Sequence, residues 1–184
     1  MILYDVPSRT ATGLADETIA RLAELPQIIG LKDATGDVTR PSRLRSLVGS
    51  EFRLLSGDDA TALAFLTQGG NGCISVTSNV APGLCRAMFV AGRQGPLSKA
   101  HRFAVPIAQL TAALFRETSP APVKYALSLF GFMSARVRLP LVELSKQSRA
   151  AVSAAMAPIC DVHPDHMIGT IDKAEVRPLQ TMAV

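Results

Sequence analysis

An α/β fold with a parallel sheet is predicted for this chain of 184 residues, and three features predict it. Short apolar runs alternate four times with helical patterns over roughly the first ninety residues. The runs are apolar on both faces, as strands covered by helices are. From Leu97 onward helical periods dominate and no strand pattern returns.

The first run, Ile2–Val6, stops at Pro7, and after a loop a helix is expected from about Asp16 to Leu25. Ile19, Leu22 and Ala23 give that helix one apolar face, and Pro26 ends it. Ile28 to Lys32 is the second strand, and residues 33–37 form a polar loop. The next helix, Thr39–Val48, carries Pro41 in its first turn, where a missing N–H costs little. Phe52–Ser56 is the third strand, followed by Gly57-Asp58-Asp59 and a helix over Ala60–Gln68 that Gly69-Gly70 terminates. Cys73 to Val76 is the fourth strand, and Asn79 with Pro82 opens a helix reaching about Ala91. Helices are then expected over Leu97–Glu117, Val123–Phe130 and Val142–Ala157, and a partly ordered tail from Pro158. The expected organisation is a βα region over residues 1–95, a helical region over 96–157 and a tail over 158–184.

Apolar residues make up 48% of the chain and charged ones 18%, a globular composition far from disorder. No apolar run approaches the ~20 residues that span a bilayer, and no secretory signal is expected. The net charge of +4 raises nucleic-acid binding. Lys and Arg are scattered, the densest group being Arg40, Arg43 and Arg45, and aromatics are too few for a stacking platform. An ordinary solvated surface is the preferred reading for most of these charges. Three widely spaced cysteines suggest no disulfide framework and point to a reducing compartment.

In parallel α/β proteins functional side chains gather at the carboxyl ends of strands. There the four strands present Tyr4 with Asp5 to Thr10, Lys32 with Asp33 to Gly36, Ser56 to Asp59, and Ile74 to Asn79. Lys32 directly follows Ile-Ile-Gly-Leu, an unusual place for a solvated ammonium. The neutral amine is the nucleophilic form, and burial favours it, so a lysine at a dry strand end is suited to attack a ketone. The alternative is a lysine that snorkels past the strand end to water. Tyr4 holds the equivalent place on the neighbouring strand, and its phenol there would relay protons; otherwise it packs as an ordinary aromatic. Arg9 in the adjoining loop would fork onto a substrate carboxylate, or else pair at the surface with Asp5 or Asp33. Asp58-Asp59 reads as a capping turn rather than a metal site. Cys160, His163 and His166 are a weak match to metal ligation, and a tail is preferred.

These residues resemble the dihydrodipicolinate synthase and N-acetylneuraminate lyase family of class I aldolases. Tyr4-Asp5-Val6-Pro7-Ser8-Arg9-Thr10 is similar to its tyrosine motif, and Gly30-Leu31-Lys32-Asp33-Ala34-Thr35-Gly36 to its Schiff-base motif. Leu55 to Asp59 and Gly69 to Thr77 resemble its next two strand ends. Pro120 to Lys124 and Arg138 to Leu141 resemble its C-terminal helical region. The resemblance covers about residues 1–156. It implies the C-terminal half of a TIM (β/α)8 barrel, four βα units followed by a helical region.

The resemblance further implies that Lys32 forms an imine with pyruvate and that Tyr4 donates and accepts protons. Gly57 and Ile74 would lie against the keto acid, largely through backbone. Arg9 favours the synthase branch, in which the second substrate is aspartate 4-semialdehyde, in lysine biosynthesis. The implied enzyme is a cytoplasmic homotetramer that uses neither metal nor organic cofactor and binds neither nucleic acid nor membrane. The family's earlier four strands, with a Gly-Thr-rich loop and a second tyrosine, have no counterpart here, and Asp5 stands where asparagine is frequent. Weak or absent activity is therefore expected of this polypeptide alone. The rival readings are another pyruvate-dependent lyase, such as an N-acetylneuraminate lyase or keto-deoxy sugar acid aldolase, and a non-catalytic half-barrel interaction module.

Overall fold

The computed structural model describes residues 1–162, the last two by backbone alone. Strand β1 (Ile2–Asp5) leads through a helical turn, α1 (Pro7–Thr10), into helix α2 (Asp16–Ala23). Strand β2 (Gly30–Asp33), helix α3 (Arg40–Val48), β3 (Arg53–Ser56), α4 (Ala62–Thr67) and β4 (Gly72–Cys73) follow in alternation. After a 3-10 turn at Thr77–Asn79 the chain is helical, with α5 (Pro82–Gln94), α6 (Leu97–Leu114), α7 (Ala121–Ser128) and α8 (Lys146–Val162). The strands form one parallel sheet in the order β1-β2-β3-β4. This is the α/β architecture that the βα alternation predicts, with half the strands of a (β/α)8 barrel.

The chain divides into two compact units, Met1–Ser75 with Phe89–Ala100, and Val76–Met88 with the chain from His101. In the first unit, alternation along the strands sorts side chains onto two sheet faces. Leu31 and Leu54 join Ile19, Ile28, Leu44, Phe52 and Phe65 in a buried core, with Leu3, Leu14, Leu22, Ala23 and Val48 packed against it. Each fully buried leucine stabilises by about 1.5–3 kcal/mol. Ile2, Tyr4, Lys32 and Leu55 alternate with these along their strands and are all exposed or half-buried. In the second unit Leu84, Leu110, Leu114, Val152, Met156 and Ile159 are buried.

Four elements depart from expectation. The loop after β1 contains the helical turn α1, where Arg9 and Thr10 donate their N–H groups to the Val6 carbonyl; four residues are too few to leave a periodicity. Strand β4 ends at Cys73, although Ile74 still donates its N–H to the Ser56 carbonyl at 2.8 Å. The chain then winds into the 3-10 turn that the apolar run Ile74-Ser75-Val76 conceals, and the following helix opens at Pro82. Helix α8 begins at Lys146 rather than Val142, because the Ser145 hydroxyl accepts the Ser148 N–H as an N-terminal cap. It then runs through Pro158 and Cys160 into the stretch expected to be a tail.

The arginine group also departs from a solvated surface. Arg40 is only 4% exposed. Arg45 lies in the last turn of α3 and donates to the carbonyls of Gly49, Ser50 and Phe52, the kind of partner that helix ends need. It also donates to Asn71 Oδ1, which itself accepts the Leu54 N–H. Of the three, only Arg43 keeps an exposed side chain.

Candidate functional site

Parallel pairing aligns β1 and β2 so that Tyr4 is the direct partner of Lys32 and Asp5 of Asp33. Tyr4 and Lys32 point to one face of the sheet, Asp5 and Asp33 to the other. On the first face the Lys32 Nζ sits 4.0 Å from the centroid of the Tyr4 ring. An ammonium over an exposed ring gains about 0.5–1 kcal/mol. The nitrogen therefore rests on the aromatic face, and among the described residues no hydrogen bond joins it to the phenol oxygen. Tyr4 is 51% exposed and Lys32 half-buried.

Gly57 lies beneath the lysine stem. A Cβ added there would come within 3.0 Å of Lys32 Cε, 3.1 Å of its Cγ and 2.9 Å of Ala34 Cβ. Glycine at this strand end thus makes room for the lysine to cross toward Tyr4. The Gly57 N–H donates to the Asp33 carbonyl at 2.6 Å and the Ala34 N–H to the Asp5 carbonyl at 2.9 Å. With the Ile74 N–H engaged at Ser56, the backbone groups that Gly57 and Ile74 can still offer a ligand are their carbonyls. The Ile74 side chain is exposed.

Arg9 occupies α1 with an exposed side chain. Its expected surface partners, Asp5 and Asp33, are instead both held by Arg40, and among the described residues Arg9 makes no ion pair. Arg40 Nη1 donates to Asp5 Oδ2 at 2.7 Å and to Asp33 Oδ2 at 3.4 Å, its Nε donates to Asp16 Oδ1 at 2.8 Å, and its Nη2 donates to the Leu14 carbonyl. Burial pulls the guanidinium's pKa down, but the Asp5 and Asp16 hydrogen bonds outweigh that and hold it above its ordinary value. Sequence reasoning placed this arginine at the surface. Its only sequence signal is indirect: two acids, Asp5 and Asp33, that immediately follow the candidate pair and that alternation turns toward the core.

The loop after β2 is tied by its own side chains. Asp33 Oδ1 accepts the N–H and hydroxyl of Thr35, and Asp37 Oδ1 accepts those of Thr39. The Thr39 hydroxyl, and next the Arg43 guanidinium, hold the Asp37 carboxyl down at about 2. Asp58 Oδ2 accepts the N–H and hydroxyl of Thr61 in the turn just before α4, so it ties that turn rather than capping the helix, whose N-cap Thr61 makes no side-chain cap bond. Among the described residues no three His, Cys, Asp or Glu side chains converge on a metal-sized site. His163 and His166, two of the three weak metal candidates, lie outside the described residues. No helix among the described residues is long and apolar enough to cross a membrane.

Comparison with known proteins identifies the chain's family. A family model described as the dihydrodipicolinate synthetase family matches residues 1–158. A 4-hydroxy-tetrahydrodipicolinate synthase of Rhodospirillum centenum is 51% identical over 156 residues, covering 85% of this chain and 54% of the relative. The solved 4-hydroxy-tetrahydrodipicolinate synthase of Methylacidiphilum fumariolicum superposes with a TM-score of 0.83 at 35% identity, covering 87% of this chain and 54% of that one. The dihydrodipicolinate synthase of Acinetobacter baumannii, solved in complex with pyruvate, superposes with a TM-score of 0.80 at 40% identity over 85% of this chain and 54% of that one. The chain spans about half the length of the curated relatives it matches.

Proposed function

We propose, from the premise that this chain belongs to the dihydrodipicolinate synthetase family, that Lys32 is the amine of a Schiff-base lyase and Tyr4 its proton relay. The observation that carries the reading is the amine of Lys32 lying against the Tyr4 ring at matched positions of adjacent strands.

The neutral amine adds to the keto carbon of pyruvate, and loss of water from the carbinolamine leaves an imine. Removal of a proton from the methyl carbon gives an enamine, which attacks the aldehyde carbon of aspartate 4-semialdehyde. Tyr4 serves the proton transfers of carbinolamine formation and collapse; to do so the nitrogen moves from the ring face to the phenol oxygen. Pyruvate as the keto acid is supported by the Acinetobacter relative, and the 4-hydroxy-tetrahydrodipicolinate product by the names of the relatives. The exposed guanidinium of Arg9 is the candidate for the aldehyde substrate's carboxylate, while Gly57 and Ile74 flank the keto acid. The reading extends to lysine biosynthesis in the cytoplasm and to a homo-oligomeric enzyme, and it narrows the expectation of weak or absent activity to weak activity for this polypeptide alone.

Borohydride reduction in the presence of pyruvate, followed by peptide mapping, tests this. The expected product is a slow, substoichiometric adduct on Lys32 that Lys32→Ala abolishes. Equal labelling of Lys99, Lys124 and Lys146 would sink the site assignment, and a stoichiometric adduct on Lys32 would refute the expected weakness. A second reading, a non-catalytic half-barrel module that associates through the sheet, is favoured by the exposure of Ile2, Tyr4 and Ile74. No adduct at any pyruvate concentration would leave it the better account.

A further inference from the structure

Arg40 reaches the backs of both strands that carry the candidate pair. Asp5 follows Tyr4 and Asp33 follows Lys32, and the two aspartates are direct partners in the parallel ladder. Both are buried, and one nitrogen of Arg40 donates to both, at 2.7 and 3.4 Å. The remaining donors hold Asp16 on α2 and the Leu14 carbonyl just before it. Asp5 Oδ2 accepts the Leu14 N–H as well, at 3.2 Å. A single side chain of α3 thus joins β1, β2 and the start of α2, one residue beyond the pair and on the opposite face of the sheet.

We propose that Arg40 is a positioning residue for the Schiff-base site: by clipping Asp5 to Asp33 it holds Tyr4 and Lys32 at the spacing that rests the amine on the ring and keeps it within reach of the phenol oxygen. The inference rests on the proposed roles of Lys32 and Tyr4. Backbone pairing sets the register of two strands but leaves their ends free to splay and twist. The pair stands at such ends, since β1 and β2 terminate at Asp5 and Asp33. A fork of three donor nitrogens locks that splay, whereas the single nitrogen of a lysine cannot reach Asp5, Asp33, Asp16 and Leu14 together. Arg43 is the built-in control: it bridges Asp16 and Asp37 in the same helix and touches neither strand end.

The contact is readable without turnover. In the full chain labelled with ¹³C-lysine, the Tyr4 ring shifts the ε-protons of Lys32 upfield, and Tyr4→Leu supplies the unshifted reference. Arg40→Lys is expected to move the Lys32 resonance most of the way to that reference, while the methyl resonances of Leu31 and Leu54 stay in place. Arg43→Met is expected to leave all of them unchanged. If Arg40→Lys loses its cooperative unfolding transition, Asp5→Ala opens the same clip from the other end, with the same expected loss of shift. A Lys32 resonance unmoved in both Arg40→Lys and Asp5→Ala overturns the proposal, as does a wild-type resonance already at the Tyr4→Leu position.

The borohydride assay separates this inference from the functional reading. If Lys32 is trapped by pyruvate, Arg40→Lys slows adduct formation by about 100-fold, the effect of a misplacement near 1 Å, with half-saturation by pyruvate unchanged. If no adduct forms in the wild type, the functional reading fails, while the resonance still reports whether Arg40 sets the contact.

Discussion

Replacing Gly57 with alanine separates stability from chemistry. The new Cβ would stand 2.9 Å from Ala34 Cβ and 3.0 and 3.1 Å from the Cε and Cγ of Lys32. Carbon atoms rest at about 3.5–4.0 Å, so each contact must open by about 0.4 Å or more. The flexible lysine gives way, but Ala34 is fixed by its N–H bond to the Asp5 carbonyl, so the backbone at position 57 must also yield to open the 2.9 Å contact. Overpacking costs about 1–3 kcal/mol, and one flexible and one fixed partner put this case near the middle, about 2 kcal/mol. Reduced freedom of the unfolded chain returns about 0.4–1 kcal/mol. The net loss is then about 1–2 kcal/mol, a Tm drop of about 2–8 °C. The displaced amine loses the position from which it reaches the phenol oxygen of Tyr4, and a shift near 1 Å at a reacting atom costs about 100-fold in rate. Thermal unfolding and the rate of borohydride-trapped adduct, each against wild type, are the assays. Trapping at the wild-type rate, or a stability loss above about 3 kcal/mol, refutes the reasoning: the first means that the lysine was never crowded, the second that the strain is not confined to Ala34 and the lysine.

Other substitutions test the sheet and the loop. Leu54→Ala empties a fully buried position beside Leu31 and should cost about 2.7–5 kcal/mol in denaturant unfolding; a loss under about 1 kcal/mol would contradict the assigned core. Gly30→Ala drives a Cβ to 2.6 Å from the Arg53 carbonyl oxygen, which is backbone, so it should destabilise more than Gly57→Ala does; the reverse order in urea midpoints would show that β2 and β3 are not in this register. Asp37, with its carboxyl held at about 2 against an ordinary 3.8, contributes stability that is present above pH 3.8 and lost as pH falls through about 2. The difference between wild type and Asp37→Asn should therefore be small but steady near neutrality and should close between about pH 4 and pH 2. A difference that does not vary over that range would show that the Thr39 and Arg43 contacts do not form in solution.

Sequence alone determined the α/β class, the order of its elements and the side chains brought together at the strand ends. These properties are local: periodicity marks strands and helices, Pro41 and Gly69-Gly70 mark boundaries, and alternation assigns Tyr4 and Lys32 to one face. Strand-end placement singled out the pair, the resemblance implied its roles, and strand pairing aligns it.

Tertiary structure decided the rest. The reason for glycine at position 57 is the path of a lysine from another strand, which no local pattern encodes. The early end of β4 depends on what the neighbouring strand can still accept, not on the apolar run that continues to Val76. Arg40 shows the difference most directly, for hydropathy assigns an arginine to water. What reverses that preference is three carboxylates delivered from β1, β2 and α2, the farthest of them 35 positions away. Desolvating a guanidinium is unfavourable until such partners assemble, and they assemble only when the chain has folded.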